Sequence, residues 1–218
     1  MKEKTKMTYN VLIVDDCKLI RRIFEDAVGG SDKYTLVGSV GSAEEAIDLC
    51  NKSHVDIILM DVVMGNGMDG ITASGVLKNL HPDTKILLVT SMPEVTYIRR
   101  AREIGIDSFW HKEVQQQPLL EVMDRTINGE HIFPDNMPSV PFGNMISTEL
   151  SEREQDILRG LVSGASNTEI AENLGISERT VKMHITNLLQ KTGFQTRLQL
   201  AVRARAGGIV INDDNTFV

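Results

Sequence analysis

SNTEIAENLGISERTVKMHITNLLQKTGF, residues 166–194, reads as two short helices joined by a tight turn. In the first, Ile170, Ala171 and Leu174 fall at i, i+1 and i+4. The turn is Gly175-Ile176-Ser177. In the second, Val181, Ile185, Leu188 and Leu189 line one face, and Arg179, Lys182, Met183 and Thr186 line another. A helix that buries one stripe and presents a basic, polar one suits the major groove of DNA. The pattern predicts a helix-turn-helix output, and the rest of the chain reads as its control.

Working outward, Ser151 and Glu154 form an S-x-x-E capping box that starts a helix running to about residue 163. Helices near 167–174 and 178–191 follow, then a last one over 196–206 that stops at Gly207-Gly208. An all-helical domain is therefore expected over 148–210, with a disordered tail at 211–218. Upstream, GEHIFPDNMPSVPFGNMIS (129–147) shows no periodicity, and Pro134, Pro138 and Pro141 interrupt any helix. It reads as a semi-rigid linker.

Residues 1–128 have a different rhythm. Short apolar runs at 10–14, 34–40, 56–60, 85–90 and 106–111 alternate with helical patterns near 16–28, 43–52, 70–80, 94–104 and 115–128. Unbroken apolar strands are buried on both faces, as in a parallel sheet. Five such alternations predict a doubly wound, five-stranded α/β domain. Right-handed crossovers bring the carboxyl ends of the strands to one edge, where such sheets carry their chemistry.

Composition sets the outer limits. The 218 residues are 41% hydrophobic and 24% charged, which is globular composition. The formal net charge is −7, so the chain as a whole is no nucleic-acid-binding polycation. Residues 175–207, however, hold six basic side chains (Arg179, Lys182, Lys191, Arg197, Arg203, Arg205) against one acid, Glu178. A local patch of that kind suffices to engage phosphates, although a merely solvated helix face carries the same signal. Cys17 and Cys50 give neither a disulfide framework nor metal spacing, which points to a reducing compartment. The polar start and the absence of a long apolar run predict a cytoplasmic protein with no membrane span.

Asp15 and Asp16 follow the first strand, Asp61 ends the third, Thr90 the fourth and Lys112 the fifth. A parallel sheet gathers all of them at one edge. Two carboxylates at 4 Å repel by about 4 kcal/mol at an effective dielectric of 20, so the cluster calls for a divalent cation, and oxygen ligands suit Mg²⁺. One carboxylate could also attack phosphorus and form an aspartyl phosphate, with the metal and Lys112 neutralising the phosphoryl oxygens and Thr90 donating a hydroxyl. An aspartate at a strand end often only caps the next helix. Five such residues, at the ends of four strands, are harder to assign to capping. Cys17 reads as unreactive among carboxylates, His111 as a solvated edge residue, Trp110 as core, and His184 as partly buried or phosphate-facing. Arg197, Arg203 and Arg205 on the last helix, with Leu198, Ala201, Val202 and Ile209, suit dimerisation or solubility.

Residues 9–128 resemble a receiver domain of two-component signalling, carried by VLIVDD, ILMDVVMGNGMDG, LLVTS and SFWHK. Residues 148–209 resemble the DNA-binding domain of LuxR/NarL/FixJ-type regulators, carried by LSEREQDIL, SNTEIAENLGIS and TVKMH. The order of the two matches the NarL/FixJ class of response regulators. That resemblance implies a phosphorylation-controlled transcriptional regulator, not an enzyme, with Asp61 as phosphoacceptor. It implies Mg²⁺ held by Asp15, Asp16, Asp61 and the Val63 carbonyl, Thr90 as switch hydroxyl, Phe109 as switch aromatic and Lys112 as phosphoryl ligand. Lys182, Met183 and Thr186 would face DNA, with Arg179 and His184 beside them. A sensor histidine kinase, double-stranded DNA and a second copy of the chain, joined on activation, are the implied partners. The chain departs from the pattern after Asp61, where MGNGMDG lacks the usual proline and is one residue longer. It also departs at Glu113, where many receivers have proline, and at Thr186, where some relatives carry a basic residue.

Two other readings stay open on the residues themselves. A Mg²⁺-dependent phosphatase with an aspartyl nucleophile would share the acidic cluster, although such hydrolases place two aspartates two apart after the first strand. A regulator that binds DNA without phosphorylation is the other.

Overall fold

Val14 on the first strand lies beside Met60 on the third, so the next residues, Asp15 and Asp61, emerge as neighbours from the same edge of the sheet. The computed structural model describes residues 8–65, 67–91, 96–112, 118–134 and 139–210. They form two compact units, one from residues 8–91 and 97–134, the other from residues 139–210. Glu113, the 92–95 segment and the 211–218 tail lie outside the described residues.

The first unit alternates strand and helix: β1 (Tyr9–Val14), α1 (Lys18–Gly29), β2 (Tyr34–Val40), α2 (Ala43–Lys52), β3 (Ile57–Asp61), α3 (Gly70–Leu80), β4 (Lys85–Thr90), α4 (Thr96–Glu103), β5 (Ser108–His111) and α5 (Leu119–Ile127). All five strands are parallel, in the order β2-β1-β3-β4-β5. Alternate residues serve opposite faces. Val11, Ile13, Ile57, Leu59, Leu87 and Val89 pack with Phe24 and Val28 of α1 and with Val122 and Met123 of α5. Leu12, Ile58, Met60, Ile86 and Leu88 fill the other face and are equally inaccessible. There Gly38 packs closely against α2: a Cβ on it would fall 2.4 Å from a terminal methyl of Leu49, which would have to shift. The sheet is thus doubly wound, and its order reverses between β1 and β3, the place where such folds bind ligands.

The second unit opens with a hairpin, β6 (Pro141–Phe142) against β7 (Met145–Ile146), then a 3₁₀ turn (Ser147–Glu149) and four helices: α6 (Glu152–Val162), α7 (Asn167–Leu174), α8 (Glu178–Thr192) and α9 (Arg197–Ala206). Ser151 and Glu154 make the expected capping box at α6, and Ser166 with Glu169 makes a second at α7. Gly175 ends α7 in the left-handed region (φ 62°), and Ser177 caps α8 by accepting from the Thr180 amide.

The expected linker over 129–147 proves more structured than its prolines suggested. At one end the Phe109 amide donates to the Ile132 carbonyl at 2.7 Å, and Ile132 is buried against the first core. At the other, Phe142 and Met145 of the hairpin belong to the second core, and Phe142 meets Phe194 edge to face. Two-residue strands and single apolar anchors carry no period, so nothing in the pattern exposed them.

Candidate functional site

The carboxyl ends of β1 and β3 bring Asp15, Asp16 and Asp61 together. One oxygen of each lies within 4.8 Å of the others. Asp15 is 1% exposed and Asp61 9%, while Asp16 faces solvent. Lys112, just past β5, reaches into the group: its ammonium donates to Asp15 Oδ2 at 3.1 Å and to Asp61 Oδ1 at 3.4 Å. The backbone fixes these positions. The Cys17 amide donates to Asp15 Oδ1 at 2.8 Å, the Arg21 guanidinium donates to the Asp15 carbonyl, and the Lys112 amide donates to the Thr90 carbonyl at 2.8 Å. Gly70 is glycine because α3 begins against the phosphoacceptor candidate itself; a Cβ there would stand 1.9 Å from the Asp61 carbonyl oxygen.

Three carboxylates facing one ammonium leave the cluster short of positive charge. Burial pushes the Asp61 carboxyl up to about 7; Lys112 opposes that rise, and Asp15 and then Asp16 add to it. An all-oxygen donor set with uncompensated negative charge fits a hard divalent cation. Thr90 is buried (1%) at the end of β4, and Phe109 is wholly buried on β5.

In the second unit, Val181, Ile185 and Leu188 of α8 are buried with Ile170 and Ala171 of α7, and Leu189 is half-buried. Arg179, Lys182, Met183 and Thr186 are exposed, Met183 by 52%, and His184 is half-buried. Thr168 of α7 donates to Glu178 at 2.8 Å, and Arg153 of α6 donates to the Leu174 carbonyl at 3.3 Å, bracing the helix pair. An apolar stripe turned inward and a basic stripe turned outward is what a groove-reading helix requires.

Two family models match the chain, "Response regulator receiver domain" over residues 11–124 and "Bacterial regulatory proteins, luxR family" over residues 148–204. The chain is a response regulator with a luxR-family output domain. Response regulator protein VraR of Staphylococcus aureus is 33% identical over 204 residues, 91% of this chain and 97% of that protein. The structure of an RcsB–DNA complex matches with a TM-score of 0.61 at 20% identity, covering 91% of this regulator and 98% of RcsB. Response regulator ChrA of a heme-sensing two-component system matches at 0.51 and 24% identity, over 93% of this chain and 99% of that one. At such identities the likeness of the solved structures concerns the fold.

Several expectations for this regulator need correction. His111 is fully buried, not a solvated edge residue, because the β4–β5 pairing of Thr90 with His111 carries it inside. Trp110, by contrast, packs against the first core as expected, half-buried, and Cys17 is a free, exposed cysteine. Within the basic set, Lys191 pairs at 2.7 Å with Glu154, itself 4% exposed, and so ties α8 to α6. Arg197 donates to the Ala165 carbonyl at 2.8 Å and to Asn167 at 3.1 Å. Both serve the domain's own architecture. Ile209 belongs to the core, leaving Leu198 (69% exposed) and Val202 (56%) as the apolar pair on the outer side of α9. Reading the strand ends also missed Arg21 and Glu44; the first acts through a backbone carbonyl, and the second reaches the loop after Asp61 from α2, so no motif spacing marks either. No helix among the described residues is long and apolar enough to cross a membrane.

Proposed function

We propose that Asp61 is the phosphoacceptor of this response regulator and that Mg²⁺ is its cofactor, held by Asp15, Asp16, Asp61 and the Val63 carbonyl. The convergence of the three carboxylates, bridged in part by Lys112, carries the reading. A carboxylate oxygen of Asp61 attacks phosphorus in a phosphohistidine of a sensor kinase or in a small acyl phosphate. The donor's P–N or P–O bond breaks, the leaving group departs with that bond's electron pair, and an imidazole leaving group takes its proton from solvent. Bound by those residues, Mg²⁺ would supply charge neutralisation for the phosphoryl oxygens. Lys112 and the Thr90 hydroxyl are assigned to those same oxygens, and Phe109 to the aromatic that repacks when Thr90 moves. The protein takes up a phosphoryl group stoichiometrically and turns over no substrate of its own.

The output half rests on α8. Lys182, Met183 and Thr186 are assigned to the major groove, with Arg179 and His184 at its margin, and the exposed Leu198–Val202 pair on α9 is assigned to a homodimer formed on activation. As a DNA-binding regulator, the protein is assigned to the cytoplasm. Operator affinity, measured over a salt series with and without acetyl phosphate and Mg²⁺, tests this half. Phosphoryl uptake should tighten wild-type binding. Lys182→Ala should weaken it about tenfold and lower the salt slope by about one unit, the signature of one lost phosphate contact. An unchanged affinity and slope would remove Lys182 from the interface.

A further inference from the structure

The loop that follows Asp61 is one residue longer than the receiver pattern, and two carboxylates hold it. Near its start the Gly65 amide donates to Asp16 Oδ2 at 2.8 Å. Near its end the Met68 amide donates to Glu44 Oε1 at 3.1 Å. Between these points Gly67 lies directly over the Glu44 carboxylate: its φ is +84°, and a Cβ on it would stand 2.8 Å from Glu44 Oε1. The left-handed backbone favours glycine, and any side chain there would displace the Glu44 carboxylate. Glu44 stands in the first turn of α2, exposed, and is not a member of the three-carboxylate group. Hydrogen bonds from its own amide and from Met68 hold its carboxyl below the usual range.

Asp16 carries two duties in this arrangement. It offers an oxygen to the shared cation position, and it anchors the loop that bears the Val63 carbonyl. Metal-ligating carboxylates are themselves oriented by hydrogen-bonded partners, and the Met68–Glu44 contact fixes the far end of the loop that Asp16 holds at Gly65.

We infer that Glu44 is a positioning residue for the acidic site, holding Gly67 and Met68 through the Met68 amide so that Asp16, which holds Gly65, keeps its place in the three-carboxylate group. The inference rests on the proposed Mg²⁺ site. A plain helix-dipole role for Glu44 would depend on its charge; a positioning role depends on an oxygen that accepts a hydrogen bond, and a glutamine side chain keeps that oxygen.

Titration of the full chain with Mg²⁺, followed by the fluorescence of Trp110, separates the two. Glu44→Ala should raise the dissociation constant about fivefold, the scale of one lost hydrogen bond, while Glu44→Gln stays within about twofold of wild type. Hydrogen exchange in the metal-free protein should show the Met68 amide losing protection in the alanine variant and keeping it in the glutamine variant. Wild-type affinity in Glu44→Ala, equal impairment of both variants, or unchanged Met68 protection would overturn the inference while leaving the acidic site standing. A wild-type protein indifferent to Mg²⁺ would overturn the acidic site and this inference together.

Discussion

Asp61→Asn should take up less than about one hundredth of the wild-type phosphoryl label from acetyl phosphate, because the amide oxygen is a far poorer nucleophile than the carboxylate it replaces. The side chain is nearly isosteric and lies at a strand end whose fold depends on Met60, Leu59 and the Gly70 contact, none of which the change touches. The variant should therefore stay folded and keep its basal operator affinity while losing the phosphate-dependent gain. Asp15→Asn should reduce labelling less, since that aspartate is assigned to the metal and Lys112 and not to the bond being made. Full labelling of Asp61→Asn would move the phosphoacceptor elsewhere.

The same side chain should also set the pH dependence of stability in metal-free protein. Asp61 titrates near 7 in the fold, against an ordinary value of 3.8, and its side chain is only 11% exposed. The folded state thus binds the proton more tightly than the unfolded chain. Its contribution is fully favourable below about pH 4 and is lost as pH rises through 7. A shift of about three units corresponds to about 4 kcal/mol. With Mg²⁺ removed, Asp61→Asn should match wild type near pH 4 and exceed it by roughly that amount above pH 7. Saturating Mg²⁺ should close the gap by binding only the folded wild type. Denaturant unfolding at a series of pH values, with and without chelator, measures this directly. Parallel curves for the two proteins from pH 4 to 8 would show that Asp61 is not held at a raised value.

Much of this architecture is legible in the sequence because its signals are local. β1, β3 and β4 are inside on both faces, so they appear as unbroken apolar runs such as NVLIV and KILLVT. The helix-turn-helix announces itself through serine caps at Ser151, Ser166 and Ser177 and the left-handed Gly175. The strand-end positions of Asp15, Asp16, Asp61, Thr90 and Lys112 follow from topology alone. What stayed hidden depends on tertiary contact. Phe142, Met145 and Ile132 are isolated apolar residues in a proline-rich stretch, and only the cores they enter distinguish them from linker. Lys191 and Arg197 read as members of a basic patch; a buried partner, Glu154, and a backbone carbonyl, that of Ala165, engage them inside the domain. Glu44 lies on a helix 24 residues before the amide it holds.

Borohydride reduction after incubation with acetyl phosphate and Mg²⁺, followed by peptide mapping, tests the phosphoacceptor most directly. The procedure converts an aspartyl phosphate to homoserine and so names the residue that carried it. We expect homoserine at position 61 alone, dependent on Mg²⁺ and lost with a chelator. Homoserine at position 15 or 16, or none anywhere in a folded, Mg²⁺-loaded protein, would contradict the assignment of Asp61.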